Sequence, residues 1–156
     1  MSIDQPIVTG EPDAELLRLI AEFETTYRAH DQMSKAYRRV KDHNAALPDC
    51  PPDVLPITDR AAYERHSEFM NRNGALALWN ESSKLIRFAG ALANQIFSTP
   101  AYTLQGAVEK LKIVRLQRGD AEDGADDDLA AFMSLDDPWF ASVMNDFERL
   151  SDGGAS

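Results

Sequence analysis

The chain has 156 residues, 44% apolar and 27% charged, with a formal net charge of −10, a mix that suits a globular chain long enough to bury a core. Its single cysteine, Cys50, excludes an intramolecular disulfide. No apolar run approaches the roughly 18 residues of a membrane span. The opening "MSIDQPIVTGEPD" has neither the basic nor the apolar stretch of a secretory signal, which points to the cytoplasm.

The charge is unevenly placed. Residues 119–156 hold eleven Asp/Glu against Arg149 alone and so carry the whole −10, while residues 16–118 hold fifteen Lys/Arg against eleven acids. An acidic tail follows a mildly basic body, and it either keeps the chain in solution, folds over that body or meets a basic partner.

Taken in chain order, residues 1–11 read as a flexible acidic N-terminus and 12–118 as a helical domain. The first predicted helix covers 12–47, with Pro12 in its first turn and Glu11, Asp13 and Glu15 where the helix dipole favours negative charge. Large side chains recur at Leu16, Ile20, Phe23, Tyr27, His30, Ser34, Tyr37, Val40 and Leu47, close to the 3.5-residue period of a coiled coil. His30 and Ser34 weaken the middle of that seam, and His30 is expected to face a partner helix. "LPDCPPDVLP" (47–56) has four prolines and ends the helix.

A second helix opens at "ITDRAAYERHSEFM" with Thr58 or Asp59 as cap. Its pattern runs through Tyr63, Phe69, Met70, Leu76, Trp79, Ile86, Phe88, Ala89, Leu92, Ala93, Ile96 and Phe97, with Gly74 as a weak point where it either continues or breaks. In "STPAYTLQGAVEKLKIVR" (98–115), Pro100 closes this helix and Thr103 caps the next. Projected at about 100° per residue, Leu104, Ala107, Val108, Leu111 and Val114 form the expected core face, while Ile113 and Leu116 fall opposite it. The cations Lys110, Lys112, Arg115 and Arg118 scatter round the helix, so no basic stripe results. Residues 119–128 read as an acidic loop and 129–150 as short docking helices. The second of these has Asp137 as cap, Pro138 in the first position and a stripe of Trp139, Phe140, Val143, Met144, Phe147 and Leu150. Residues 151–156 read as a disordered tail. The fold expected is all-α: a long antiparallel helical hairpin, coiled-coil-like, with shorter C-terminal helices packed on it.

Chemistry is sparse. His30, His43 and His66 lack the four-residue pairing of a helical zinc site, and no second cysteine completes a thiolate site. Cys50 has no cationic neighbour in sequence to lower its thiol pKa. "GDAEDGADDD" fails the ligand spacing of a calcium loop, and no phosphate loop, nucleophile elbow or dinucleotide fingerprint occurs. No catalytic, cofactor or metal residue is therefore assigned, and a non-enzymatic role is expected. Ile113, Leu116, Trp139, Phe140 and Phe147 are the candidate partner-binding residues, and a second copy of the chain is one partner they allow. The alternative is a regulatory accessory protein touching nucleic acid through Lys35, Arg38, Arg39 and Lys41. That binding is disfavoured by the overall acidity.

The motif "TPAYTLQGAVEKLK", following "DAELLRLIAEFETTYRAHDQ" and the proline break "ALPDCPPD", resembles small uncharacterised alphaproteobacterial helical proteins often encoded near prophage or mobile-element genes. The resemblance covers residues 13–118. It implies a setting near mobile-element genes but no activity or mechanism, and it carries over no site residue.

Overall fold

The computed structural model describes residues 11–118 and 138–153. Five helices fill most of this: α1 (Ala14–Ala45), α2 (Arg60–Arg72), α3 (Ala75–Ser98), α4 (Leu104–Arg118) and α5 (Pro138–Gly153), with no strand among the described residues. The fold is all-α, and α1 packs with α3. The acidic loop, the first docking piece and the Asp137 cap lie outside the described residues, as do residues 1–10 and 154–156. Ser151–Gly153, expected in the tail, are the last turn of α5.

Local chemistry sets the helix ends. Asp59 is the N-cap of α2, with extended backbone and a side chain accepting from Ala62 N at 3.0 Å. The expected second helix is two: Gly74 stands at φ +85°, a left-handed conformation that costs glycine little. Asn73 caps the first piece and donates its side-chain amide to Phe69 O at 2.9 Å. Ser98 and Thr99 both donate to carbonyls four residues back as α3 runs out before Pro100. Thr103 Oγ1 accepts from Gly106 N at 3.1 Å, as a capping threonine should.

The described chain divides into two compact units, Met1–Phe23 with Ala91–Ser156, and Glu24–Gly90. In the first, Leu16, Leu19, Ile20 and Phe23 of α1 are buried at helical spacing, as are Leu92, Ala93, Ile96 and Phe97 of α3. Each of these leucine, isoleucine and phenylalanine side chains contributes about 1.5–3 kcal/mol by leaving water. On the outer surface of α1, Arg18 pairs with Glu15 at 2.8 Å and with Glu22 at 3.0 Å. The hydrogen bond from Arg18 holds the Glu15 carboxyl below its ordinary value.

In α4 the core face differs from the expected one. Gly106, Ala107, Lys110, Ile113 and Val114 are buried, while Leu104 is 63% exposed and Val108 is also exposed. The reason is Lys110: its ammonium is buried against α5, so the buried stripe is centred on a lysine. A projection that sends every lysine to solvent rotates the face away from its true position. Ile113 is consequently 1% exposed and belongs to the core, leaving Leu116 without the expected neighbour.

The second unit is built differently. Beyond Phe23 no apolar side chain of α1 is buried. Its seam toward α3 is polar. The Ser82 carbonyl can only accept, so His30 Nδ1 donates to it at 3.1 Å, with Ser82 Oγ also 3.0 Å away and 2.9 Å from Ser34 Oγ. Tyr37 meets Trp79 and Asn44 Nδ2 donates to Asn73 O at 3.3 Å, so the contacts run in reverse chain order. Phe69, Met70, Ala62, Ala75 and Ala89 supply the apolar burial. Tyr63, Leu76, Trp79, Ile86 and Phe88, expected inward, are all exposed.

Candidate functional site

Two constellations could carry function, one in each unit. In the first unit, Asp13 is a buried carboxylate placed by the turn ahead of α1. It accepts from Tyr102 N at 2.7 Å, from Thr103 N at 3.0 Å and from Thr103 Oγ1. Gly106 is the residue that lets it sit there: a Cβ at that position would meet the carboxylate carbon at 2.7 Å. The threonine–leucine–glutamine–glycine motif is thus the socket of an anion, and that anion belongs to the chain itself. Nearby, Lys110 Nζ donates to Asp146 Oδ2 at 2.7 Å and more weakly to Ser142 Oγ at 3.4 Å, while Ser142 donates to Phe97 O at 2.7 Å. Arg149 donates to the other Asp146 oxygen and to Ala101 O, and lies over the Tyr102 ring. Lys110, Ser142 and Arg149 each have an internal acceptor, and the Lys110–Asp146 pair fastens α5 to α4.

The second constellation is open. A cleft of about 300 Å³ lies among α1, α2, α3 and the proline loop of the Glu24–Gly90 unit. Tyr37, Tyr63 and Trp79 give it aromatic walls and Met70, Ala75 and Leu76 apolar ones; Lys41, Asp53, His66, Ser67 and Asn71 supply the polar groups. Tyr37 and Trp79 form a corner, ring centroids 5.3 Å apart and planes at 53°. Trp79 is 54% exposed, so this corner is presented outward.

His66 is buried, and its orientation is fixed. Its Nδ1 donates to the Pro51 carbonyl at 2.8 Å, and Cys50 Sγ lies 3.9 Å from the same nitrogen. In the neutral ring that leaves Nε2 as an acceptor, 3.9 Å from Asp53 Oδ1. Nε2 and the Asp53 carboxylate face one another at the cleft, and the carboxylate can accept from a donor that enters there. Cys50 sits behind the imidazole, where Nδ1 is already committed to Pro51. A thiol–imidazole relay would need that nitrogen free.

The sequence-predicted partner residues do not form one exposed surface. Ile113 and Phe140 are buried, Trp139 and Phe147 half-buried, and Leu116 exposed. Trp139 stacks on Phe97 of α3 at 5.1 Å, which places it in the packing of its own unit. Among the basic residues, Lys35 is held by Asp31 at 2.8 Å, and Lys41 lines the cleft. Arg38 and Arg39 are exposed on α1. The cleft was missed because its aromatic residues fit a helical core pattern. The signal available was the excess of apolar positions on α3, where Leu76, Trp79 and Ile86 lie to one side of the buried Ala89, Leu92 and Ala93.

Among the described residues no group of His, Cys, Asp and Glu is gathered to hold a metal ion, and no helix is long and apolar enough to cross a membrane. No protein-family model, curated protein or solved structure matches the chain.

Proposed function

We propose that the chain is a non-enzymatic helical protein that binds a protein partner through the open face of Glu24–Gly90. The observation behind this reading is the cleft: Tyr63 of α2 and Trp79 of α3 stand exposed around it beside the half-buried Tyr37 of α1, in a unit that buries no large side chain completely. Exposed apolar surface of this kind costs solubility and is a mark of interaction sites. In this reading the α1 and α3 segments of Glu24–Gly90 are the arms of an antiparallel, coiled-coil-like hairpin. An accessory role in a mobile element belongs to the proposal on the strength of the motif resemblance alone.

Photocrosslinking tests it. A crosslinking residue at position 79 or 86, expressed in the native host, should trap the same protein from both positions. It should trap nothing from exposed position 39, and Leu76→Asp should abolish the product. Light scattering of the purified chain then tells whether a second copy is that partner. Equal crosslinking from position 39, or none from 79 and 86, would sink the reading.

A further inference from the structure

We infer that the cleft of Glu24–Gly90 is an anchor pocket for an acidic amphipathic helix of the partner, which inserts one tyrosine or tryptophan between Tyr37, Trp79 and His66. This rests on the partner-binding reading above and supplies the partner's chemistry.

Size decides first. A volume of about 300 Å³ is at the foot of the roughly 300–1,000 Å³ range of small-molecule pockets, which enclose most of their ligand. The cleft here is open and takes one large side chain. Its surroundings then indicate what carries that side chain. On α3, Leu76, Trp79, Ser83 and Ile86 fall within about 80° of one another at 100° per residue. Over about 15 Å of axis they make one apolar stripe that starts at the cleft. Leu76, Trp79 and Ile86 are exposed. A small ligand in the cleft would leave the stripe in water; a helix of about three turns laid along it covers both.

Charge selects the sign of that helix. Lys41 lines the cleft on the α1 side, and Arg87 lies about 20° beyond Leu76 on α3. Among the described residues neither Lys41 nor Arg87 is in an ion pair, and Arg87 donates only to the Ser83 carbonyl. Asp53 is the one carboxylate lining the cleft, and it faces His66. Acidic residues flanking the anchor therefore meet cations on both sides of the stripe. The anchor itself needs a donor, because the exposed Asp53 carboxylate at the cleft, its Oδ1 3.9 Å from His66 Nε2, accepts. A phenol O–H or indole N–H satisfies it; a phenylalanine does not. Tyrosine and tryptophan are also the side chains that dominate such pockets.

Fluorescein-labelled helical peptides of about 18 residues provide the test, titrated with the full chain and read by anisotropy. One carries a tyrosine anchor between glutamates, a second has lysines for the glutamates, and a third has phenylalanine as anchor. The acidic tyrosine peptide should bind at least about tenfold tighter than the lysine peptide, the size of one hot-spot contact. The phenylalanine peptide should bind several-fold more weakly. Trp79→Ala should cost at least about tenfold, and Lys41→Glu should narrow the gap between acidic and basic peptides. Trp79 is exposed, so the first variant keeps its helical circular dichroism, and Leu76→Asp repeats the test at a second exposed position. Equal or tighter binding of the lysine peptide overturns the inference. So does binding indifferent to Trp79→Ala and Leu76→Asp, or a single-stranded oligonucleotide that outcompetes the acidic peptide at the same residues. A basic or uncharged partner crosslinked at positions 79 and 86 would overturn the acidic-helix assignment while leaving the partner-binding reading standing. Absence of any crosslink removes both.

Discussion

The two compact units handle burial in opposite ways. Phe23, Leu16, Ile96, Ile113, Val114 and Val143 are fully buried large apolar side chains, and all belong to the unit formed by Met1–Phe23 with Ala91–Ser156. Among the described residues Glu24–Gly90 contributes none, and it leaves Leu55, Ile57, Tyr63, Leu76, Trp79, Ile86 and Phe88 exposed. Its interior seam is made by His30, Ser34 and Ser82 instead. A hydrogen-bonded seam of this kind adds about 1 kcal/mol per bond at most, whereas a buried apolar side chain adds about 1.5–3. The first unit completes the burial of its large core side chains, although Tyr102, Leu104, Val108, Leu116 and Met144 stay exposed; the second buries Phe69 and Met70 less completely and gathers exposed aromatic side chains around the cleft. Hydrogen exchange should accordingly be slower in α4 and α5 than in α2.

The largest way to break that contrast is to attack the charged cluster in the well-packed unit. Asp146 neutralises Lys110, whose side chain is 1% exposed, and also takes a bond from Arg149. Asp146→Ala leaves the ammonium buried without a counter-charge and should cost about 3–5 kcal/mol in urea unfolding. Lys110→Met combined with Asp146→Leu should recover most of the loss, because apolar groups of similar size replace a buried pair at little cost. If the double variant is as unstable as the single, the pair is needed for more than charge balance.

The Asp13 socket comes next. Gly106→Ala forces the carboxylate out of its bonds with Tyr102 and Thr103, and should cost about 1–3 kcal/mol. In the Asp13→Ala background the same change should be near neutral, since the gain of about 1 kcal/mol in helix propensity offsets the remaining tight contact with the Ala101 Cβ at 3.2 Å. The non-additivity of the cycle measures the clash. A Gly106→Ala effect that is the same in both backgrounds would show that the glycine serves something other than Asp13.

These two sites also mark the limit of what the sequence discloses. Helix ends were legible wherever a single residue determines them: Asp59 and Thr103 as caps, Pro138 in a first turn, Gly74 as the weak point that the structure turns into a break. The apolar face of early α1 was legible from Leu16, Ile20 and Phe23, whose spacing has only one solution. The core face of α4 was not, because a lysine occupies its centre and its counter-ion is far away in sequence, on α5. Ile113 was assigned to the surface for that reason. The cleft was hidden for the converse reason. Trp79, Leu76 and Ile86 have helical spacing, and periodicity cannot say whether an apolar stripe meets the chain's own core or another protein. Asp53 and His66 come together only through the irregular proline loop, where no periodicity exists to read.

Within Glu24–Gly90 the effects should be smaller. Ser82→Ala removes the hydroxyl shared by His30 and Ser34. His30 keeps the Ser82 carbonyl, so the expected cost is about 1 kcal/mol. Calorimetry or urea unfolding checks it, and a loss as large as that of Asp146→Ala would place the polar seam on an equal footing with the packed core.

Small stability effects belong to the residues on which binding should depend most. Trp79 is 54% exposed and its main internal contact is the tilted pairing with Tyr37. Trp79→Ala should cost about 0.5–1.5 kcal/mol, the worth of such a ring pair. Truncating a tryptophan in a packed core costs roughly 3–5. Leu76→Ser, with no ring contact to lose, should stay within about 0.5 kcal/mol. Paired measurements on each variant, unfolding and peptide anisotropy, then separate the two uses of an apolar side chain. A residue that stabilises the fold shows a large loss in unfolding, while one held out for a partner loses binding with only a small change in unfolding. If Trp79→Ala unfolds the chain as readily as a core truncation does, the exposed face of Glu24–Gly90 is part of the fold's own packing, and the contrast between the two units disappears.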